Sequence, residues 1–283
     1  MATYGPRHPD SRRALALALA AAGVLFARGA LGYGEQGYYT GAYALVGEGG
    51  CAGAAMGINP SGGCTPGVDA LIRSEAFATG VHGEANHADA IADLRLAAVT
   101  ARSIFPDGAS NSPAAVANLS ETFTAVGDLP NDVVVTVAMR IGSIVTGGAA
   151  NSGYGTLAAR LAVDGPLGSG TSYYFRDPTC AIAGGEPCST ASGWAGYDLI
   201  RTVTVNDANR SFRVDAVLDA NGGGNPGSHS TDAWARIHVL RPDGLHFSSA
   251  SGVFATVPEP SQSALALGCV ATLAASSWWK RRR

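Results

Sequence analysis

The segment HGEANHAD places His82, Glu84, His87 and Asp89 within eight residues, a set of nitrogen and oxygen side chains able to ligate a divalent metal if one loop gathered them. Structural metal sites usually draw closely spaced Cys or His pairs from two places in a chain, and no companion cluster occurs elsewhere. These four residues therefore read as a solvated polar loop. DANGGGN offers Asp219, Asn221 and Asn225 on a glycine-rich stretch, but the bidentate Glu that closes a calcium loop is missing. Turn chemistry alone accounts for such a run of Asp, Asn and Gly. His229, His238 and His246, with Asp232 and Asp243 nearby in sequence, could be combined with a serine into a triad on paper, yet a triad is defined by geometry and not by proximity along the chain. The alternation places His238 on a strand face and the other two histidines in turns. No G-x-S-x-G elbow, H-E-x-x-H helix or P-loop is present, and those are the local patterns that announce hydrolases, zinc proteases and NTPases. The sequence thus assigns no catalytic residue, no metal ligand and no cofactor, and the expectation is a protein that is not an enzyme.

Aromatic side chains offer a different chemistry. Tyr173, Tyr174, Phe175, Trp194 and Tyr197 surround the CAIAGGEPC segment, and aromatic faces beside polar groups dock sugar rings as readily as they fill a core. Core packing is the expected use. A carbohydrate-binding or carbohydrate-active protein is the alternative, and an enzyme of that kind would also need two carboxylates about 5 to 10 Å apart in a groove.

The elements that must position these residues are strands. In DVVVTVAMRI, Val133, Val135, Val137, Met139 and Ile141 alternate with Thr136 and Arg140, the period-two signature of a half-buried strand. Leu157, Ala159, Leu161 and Val163 line one side of TLAARLAV, and Phe212, Val214, Ala216 and Leu218 one side of RSFRVDAVLDA. In AWARIHVL, Ala235, Ile237 and Val239 oppose Trp234, Arg236, His238 and Leu240, with RPDG as the following turn. HADAIADLRLAAVTARS is alanine-rich enough for a short helix, although its small-residue alternation favours a strand. Turns such as VDGP and VNDANR separate these runs and no βαβ rhythm appears. The fold class expected is all-β, an antiparallel β-sandwich or jelly-roll-like single domain.

Composition narrows the partners. Between Glu35 and Val257 there are 11 arginines, no lysine and 20 acidic residues, a formal net charge of −9. Such a body repels phosphate backbones instead of releasing counterions from them, so nucleic acid is excluded as a natural partner. Cys51 and Cys64 bracket one glycine-containing loop, Cys180 and Cys188 another, and Cys269 stands alone. Two local disulfides are the simplest reading, although four cysteines permit three connectivities. Each such loop would contribute roughly 2 to 3 kcal/mol and would persist only in an oxidising compartment.

Both ends read as addresses. Residues 1–32 carry Arg12 and Arg13 before an apolar run over 14–27, with small residues at Ala30 and Gly32, the layout of a secretory signal peptide. A helix over that run would be too short to span a membrane comfortably. At the other end, Val257-Pro258-Glu259-Pro260 precedes an apolar stretch over 261–279 and a basic stop of Lys280, Arg281, Arg282 and Arg283. As a helix, those 19 residues would reach about 28 Å, just enough to cross, with the cations held on the cytoplasmic side.

This order of Pro-Glu-Pro element, transmembrane segment and terminal basic cluster resembles the PEP-CTERM sorting signal of exosortase substrates in Gram-negative bacteria. The closing run DAWARIHVLRPDGLHFSSASGVFATVPEP also resembles the last strands of such proteins, where a DG turn and an SASG element precede the signal. With the signal peptide read over 1–32 and the β-sandwich over 33–256, the resemblance implies a sorting signal over 257–283. It further implies transient residence in the inner membrane, processing by an exosortase and delivery to the cell surface or an exopolysaccharide matrix.

Overall fold

The computed structural model describes residues 37–46, 56–58, 64–66, 72–79, 86–106, 113–129, 131–146, 154–176, 186–190, 193–223, 229–242, 244–254 and 257–258. Among them every regular element is a strand: β1 (Tyr38–Val46), β2 (Met56–Ile58), β3 (Cys64–Pro66), β4 (Arg73–Thr79), β5 (His87–Asp93), β6 (Ala98–Phe105), β7 (Pro113–Val126), β8 (Val133–Thr146), β9 (Tyr154–Gly165), β10 (Gly168–Arg176), β11 (Cys188–Ser189), β12 (Gly193–Val205), β13 (Ser211–Gly223), β14 (His229–Arg241), β15 (His246–Ser249) and β16 (Val257–Pro258). The terminal helices expected over 14–27 and 261–279 lie outside the described residues.

Two sheets form the sandwich. The seven-stranded sheet runs β1-β7-β13-β9-β10-β11 with β15 added on β7, and the nine-stranded sheet runs β12-β8-β14-β6-β5-β4-β2-β3 with β16 added on β14. The long pairings are antiparallel. From β6 onward every step between consecutive strands changes layer except β9 to β10 and β10 to β11. Successive strands therefore face each other across the core more often than they pair.

The four strands with the clearest alternation bury the faces expected of them. Val135, Val137, Met139 and Ile141 on β8, Leu157, Ala159, Leu161 and Val163 on β9, Phe212, Val214, Ala216 and Leu218 on β13, and Ala235, Ile237 and Val239 on β14 all lie in the core. One end of the core is aromatic: Phe123 stacks on Phe212 at 5.4 Å, Phe254 meets Phe123 edge-on at 5.0 Å, and Phe247 meets Phe212 edge-on at 5.5 Å. Such arrangements match the quadrupoles of the rings.

The other end is built from alanine. Ala88, Ala90 and Ala92 on β5 and Ala101 on β6 face Ala42 and Ala44 on β1 and Ala115 and Ala117 on β7. With so little side chain between them the layers close down, and Cα atoms of β1 and β5, and of β5 and β7, approach within 8 Å, where larger side chains hold sheets about 10 Å apart. HADAIADLRLAAVTARS is accordingly a hairpin, β5 and β6 joined through residues 94–97. The helix propensity of its alanines yields to a period-two pattern that buries them.

The last described segment finishes both sheets. β1 occupies the edge of β7 only as far as Glu121, and β15 takes the remainder from Phe123 to Val126. The two strands abut at Gly37, φ +71°, where an added Cβ would come 3.0 Å from the Cβ of Ala250. On the other sheet β6 pairs β14 only as far as Arg236, the Ile237 N–H donates to the Ala97 carbonyl at 2.8 Å, and Val257 and Pro258 then pair with Leu240 and Arg241.

Candidate functional site

The turn that leads toward Val257 and Pro258 is built around a buried acid. On β7, Glu121 lies opposite Tyr38 and Val214, on the same face as Leu119 and Phe123, and is fully buried. Its Oε1 accepts the Ser251 backbone N–H at 3.1 Å and its Oε2 accepts the Ser251 hydroxyl. Ala250 donates its N–H to the Thr122 carbonyl at 2.9 Å, and Gly252 closes the turn on the Ser249 carbonyl at 3.0 Å. Burial raises the Glu121 carboxyl above its ordinary range, against the lowering effect of those Ser251 bonds. SASG is thus the segment that locks the closing strand, and the chain then runs to Val257 and Pro258 on β16. Glu259, Pro260 and the basic stop Lys280 to Arg283 lie outside the described residues, as do Cys51 and Cys180. Cys188, opposite Phe175 in β11, is disulfide-bonded.

The acid and histidine clusters resolve differently from their sequence reading. His87 and Asp89 are strand residues, not loop residues, because the alanines between and beside them are buried; their side chains meet at 2.7 Å on the outer face of β5. His82 and Glu84 lie outside the described residues. Asp219 and Asn221 also belong to a strand, β13, whose pairing with β7 and β9 carries through what the sequence suggested was a turn. Asn221 Nδ2 donates to Asp219 Oδ1 at 2.6 Å. Burial pushes the Asp219 carboxyl up to about 7. Asn225 lies outside the described residues.

The three histidines are not brought together. His229 opens β14, is buried and stacks on Phe105 at 4.7 Å, so it is a core residue and not a turn residue. His238 sits on the outer face of the nine-stranded sheet, where burial and then the neighbouring Arg140 and Arg236 lower its pKa. His246 is on β15 in the other sheet, and Asp243 lies outside the described residues. Among the described residues no group of three or more His, Cys, Asp or Glu is placed to hold a metal.

The five aromatics split three ways. Tyr174 turns inward and stacks on Tyr197 of the opposite sheet at 4.3 Å and 5°. Tyr173 and Phe175 stack at 6.2 Å on the outer face of β10. Beside the inward pair, Arg176 is buried between the sheets, its Nη1 donating to the Ser143 carbonyl at 3.1 Å and Oγ at 3.0 Å, and its Nη2 to the Gly193 carbonyl at 3.0 Å. Its pKa is lowered by burial, partly offset by Tyr174.

Trp194, the fifth, projects from the outer face of the nine-stranded sheet and is 69% exposed. It shares that face with Trp234, 41% exposed. Between them lie two glycines in direct register, Gly196 on β12 opposite Gly142 on β8, with Trp234 in turn opposite Gly142. A Cβ at Gly142 would stand 2.2, 2.5 and 2.8 Å from three atoms of the Trp234 indole, and one at Gly196 would stand 3.3 Å from the Trp194 ring. The glycines let both indoles lie down over the sheet from opposite sides. Isolated glycines inside strand patterns are the sequence signal for such a close approach, and neither was singled out from sequence. One row further along, Asp198, Arg140 and Arg236 stand side by side on β12, β8 and β14, with Arg140 Nε donating to Asp198 Oδ1 at 3.2 Å.

No family model matches the chain, and no curated protein matches it. Among solved structures it is similar to the enzymatically active domain of tailspike protein 4 of bacteriophage CBA120, at 9% identity over 71% of this chain and 19% of that chain, with a TM-score of 0.21. A likeness at that level carries no argument about activity.

Proposed function

We propose that this chain is an exported, non-enzymatic protein of the cell surface or exopolysaccharide matrix of a Gram-negative bacterium. Residues 1–32 deliver it to the inner membrane, and an exosortase processes it near Pro258-Glu259-Pro260. The observation that carries this reading is the fixed order of Val257-Pro258-Glu259-Pro260, the apolar run over 261–279 and the Lys280 to Arg283 stop. The domain supports it through position. Val257 and Pro258 are the last of the described residues and are paired into a sheet, so a cut beyond them leaves every described strand on the released product. Pro258 has no N–H with which to continue a ladder, which suits an exit from the sheet at this point. His229 in the core, His238 on an outer face and His246 in the other sheet do not assemble the triad that could be drawn on paper.

The test is Glu259→Ala expressed in the native cell. The substitution is expected to leave the chain uncut and held in the membrane fraction while the unsubstituted protein reaches the surface. A variant with the same mass and distribution as the parent would overturn the proposal.

A further inference from the structure

We infer that the outer face of the nine-stranded sheet is a binding platform for an acidic polysaccharide, with Trp194 and Trp234 stacking on pyranose rings over the Gly142–Gly196 pair and Arg140 with Arg236 receiving a uronate carboxylate. Indoles on a protein surface usually bury one face against neighbouring side chains; here glycines beneath them leave the outer faces open to solvent. Aromatic faces of this kind take the apolar side of a sugar ring while neighbouring polar groups fix its orientation.

The charge pattern selects the occupant. Arg140 and Arg236 stand directly opposite each other on adjacent strands, and like charges so placed are destabilising. Asp198 accepts from Arg140, whereas Arg236 is exposed and has no ion-pair partner among the described residues. The acid on the far side of Trp234, Asp232, is itself opposite Arg102. The depressed pKa of His238, caused partly by both arginines, reports the same positive spot in a body of net charge −9. Trp234 and Arg236 are two positions apart on one strand, about 7 Å, the scale of one sugar ring and its substituent. A bridging carboxylate would relieve the arginine repulsion and use the guanidinium geometry suited to it.

The inference names the matrix component that the proposed function leaves open, and it rests on that reading only for where the polymer is met. Its test is therefore made on the purified full chain, by retardation in gels containing polygalacturonate or, as the uncharged comparison, dextran. Polygalacturonate is expected to retard the protein and dextran to do so at least tenfold less. Trp194→Ala and Trp234→Ala should each weaken retardation about tenfold, and Arg236→Gln should remove the preference for the charged polymer. Gly142→Ala keeps both indoles but forces Trp234 off the sheet, and should weaken binding with the thermal midpoint unchanged. Equal retardation by both polymers, or unaltered binding by the tryptophan variants, would overturn the inference. So would a change in self-association on tryptophan replacement without any polymer dependence, which would make the face a contact between copies. Glu259→Ala leaves this assay untouched, so failure of the sorting proposal and failure of the platform are read separately.

Discussion

Glu121 and Ser251 are 130 residues apart in the chain, yet one carboxylate accepts both the backbone N–H and the hydroxyl of the serine inside the sandwich. The bond joins β7 of the seven-stranded sheet to the turn that follows β15. A buried acid here fastens the last turn of the domain, where an apolar residue would leave the Ser251 N–H without an acceptor. Glu121→Ala is expected to lower stability by about 2 kcal/mol, a fall of roughly 4 to 8 °C in Tm for a domain of this size. Hydrogen exchange at Ala250 and Ser251 should accelerate with it. An unchanged midpoint and unchanged exchange at these amides would show that the loop is held by the Phe254 and Phe247 ring contacts alone.

Asp219 gives stability a pH dependence of definite sign. Its folded carboxyl is pushed from 3.8 to about 7, by burial first, with the Asn221 bond opposing. The folded state therefore keeps a proton that the unfolded chain has released, so stability is full below about pH 4 and is lost as pH rises toward 7. Glu121 is displaced in the same direction and adds to the slope. The Asp219 gap corresponds to on the order of 4 kcal/mol. Asp219→Asn should flatten urea midpoints measured between pH 4 and 8 and be more stable than the parent at pH 8. A parent protein whose stability rises over that range would contradict the assignment.

Arg176 crosses between the layers and satisfies Ser143 and Gly193 together. Arg176→Ala removes those donors and opens a cavity, and is expected to lower stability by about 3 kcal/mol. Arg176→Lys should recover only part of that, because one ammonium lacks the planar fork that reaches both carbonyls. Denaturant midpoints of the two variants decide it: full recovery by lysine would reduce the role of Arg176 to filling space.

Much of this architecture was legible in the residues. Strands β8, β9, β13 and β14 carry such regular alternation that their buried faces follow residue by residue, and RPDG turns where expected, with Gly244 at φ +82°. What stayed hidden were the breaks in that alternation. Glu121 shares the face of Leu119 and Phe123, and Arg176 the face of Tyr174; a charged residue on an apolar face is the signal, but the partners are distant in sequence, Ser251 beyond β15 for Glu121 and Ser143 and Gly193 of the opposite sheet for Arg176. Asp219 and Asn221 have turn-forming side chains, so local chemistry masked a strand whose pairing is decided by distant neighbours. The glycines beneath Trp194 and Trp234 look like breakers in one dimension and become a lane only when β12, β8 and β14 are set in register.

The mass of the C-terminal peptide recovered from surface and membrane fractions of the native cell tests the central proposal most directly. The expected result is a surface form ending near Pro260, without WWKRRR, and with all sixteen described strands upstream of the new end. A surface-exposed protein that retains an intact SSWWKRRR terminus would contradict processing at this element and make the tail a standing anchor.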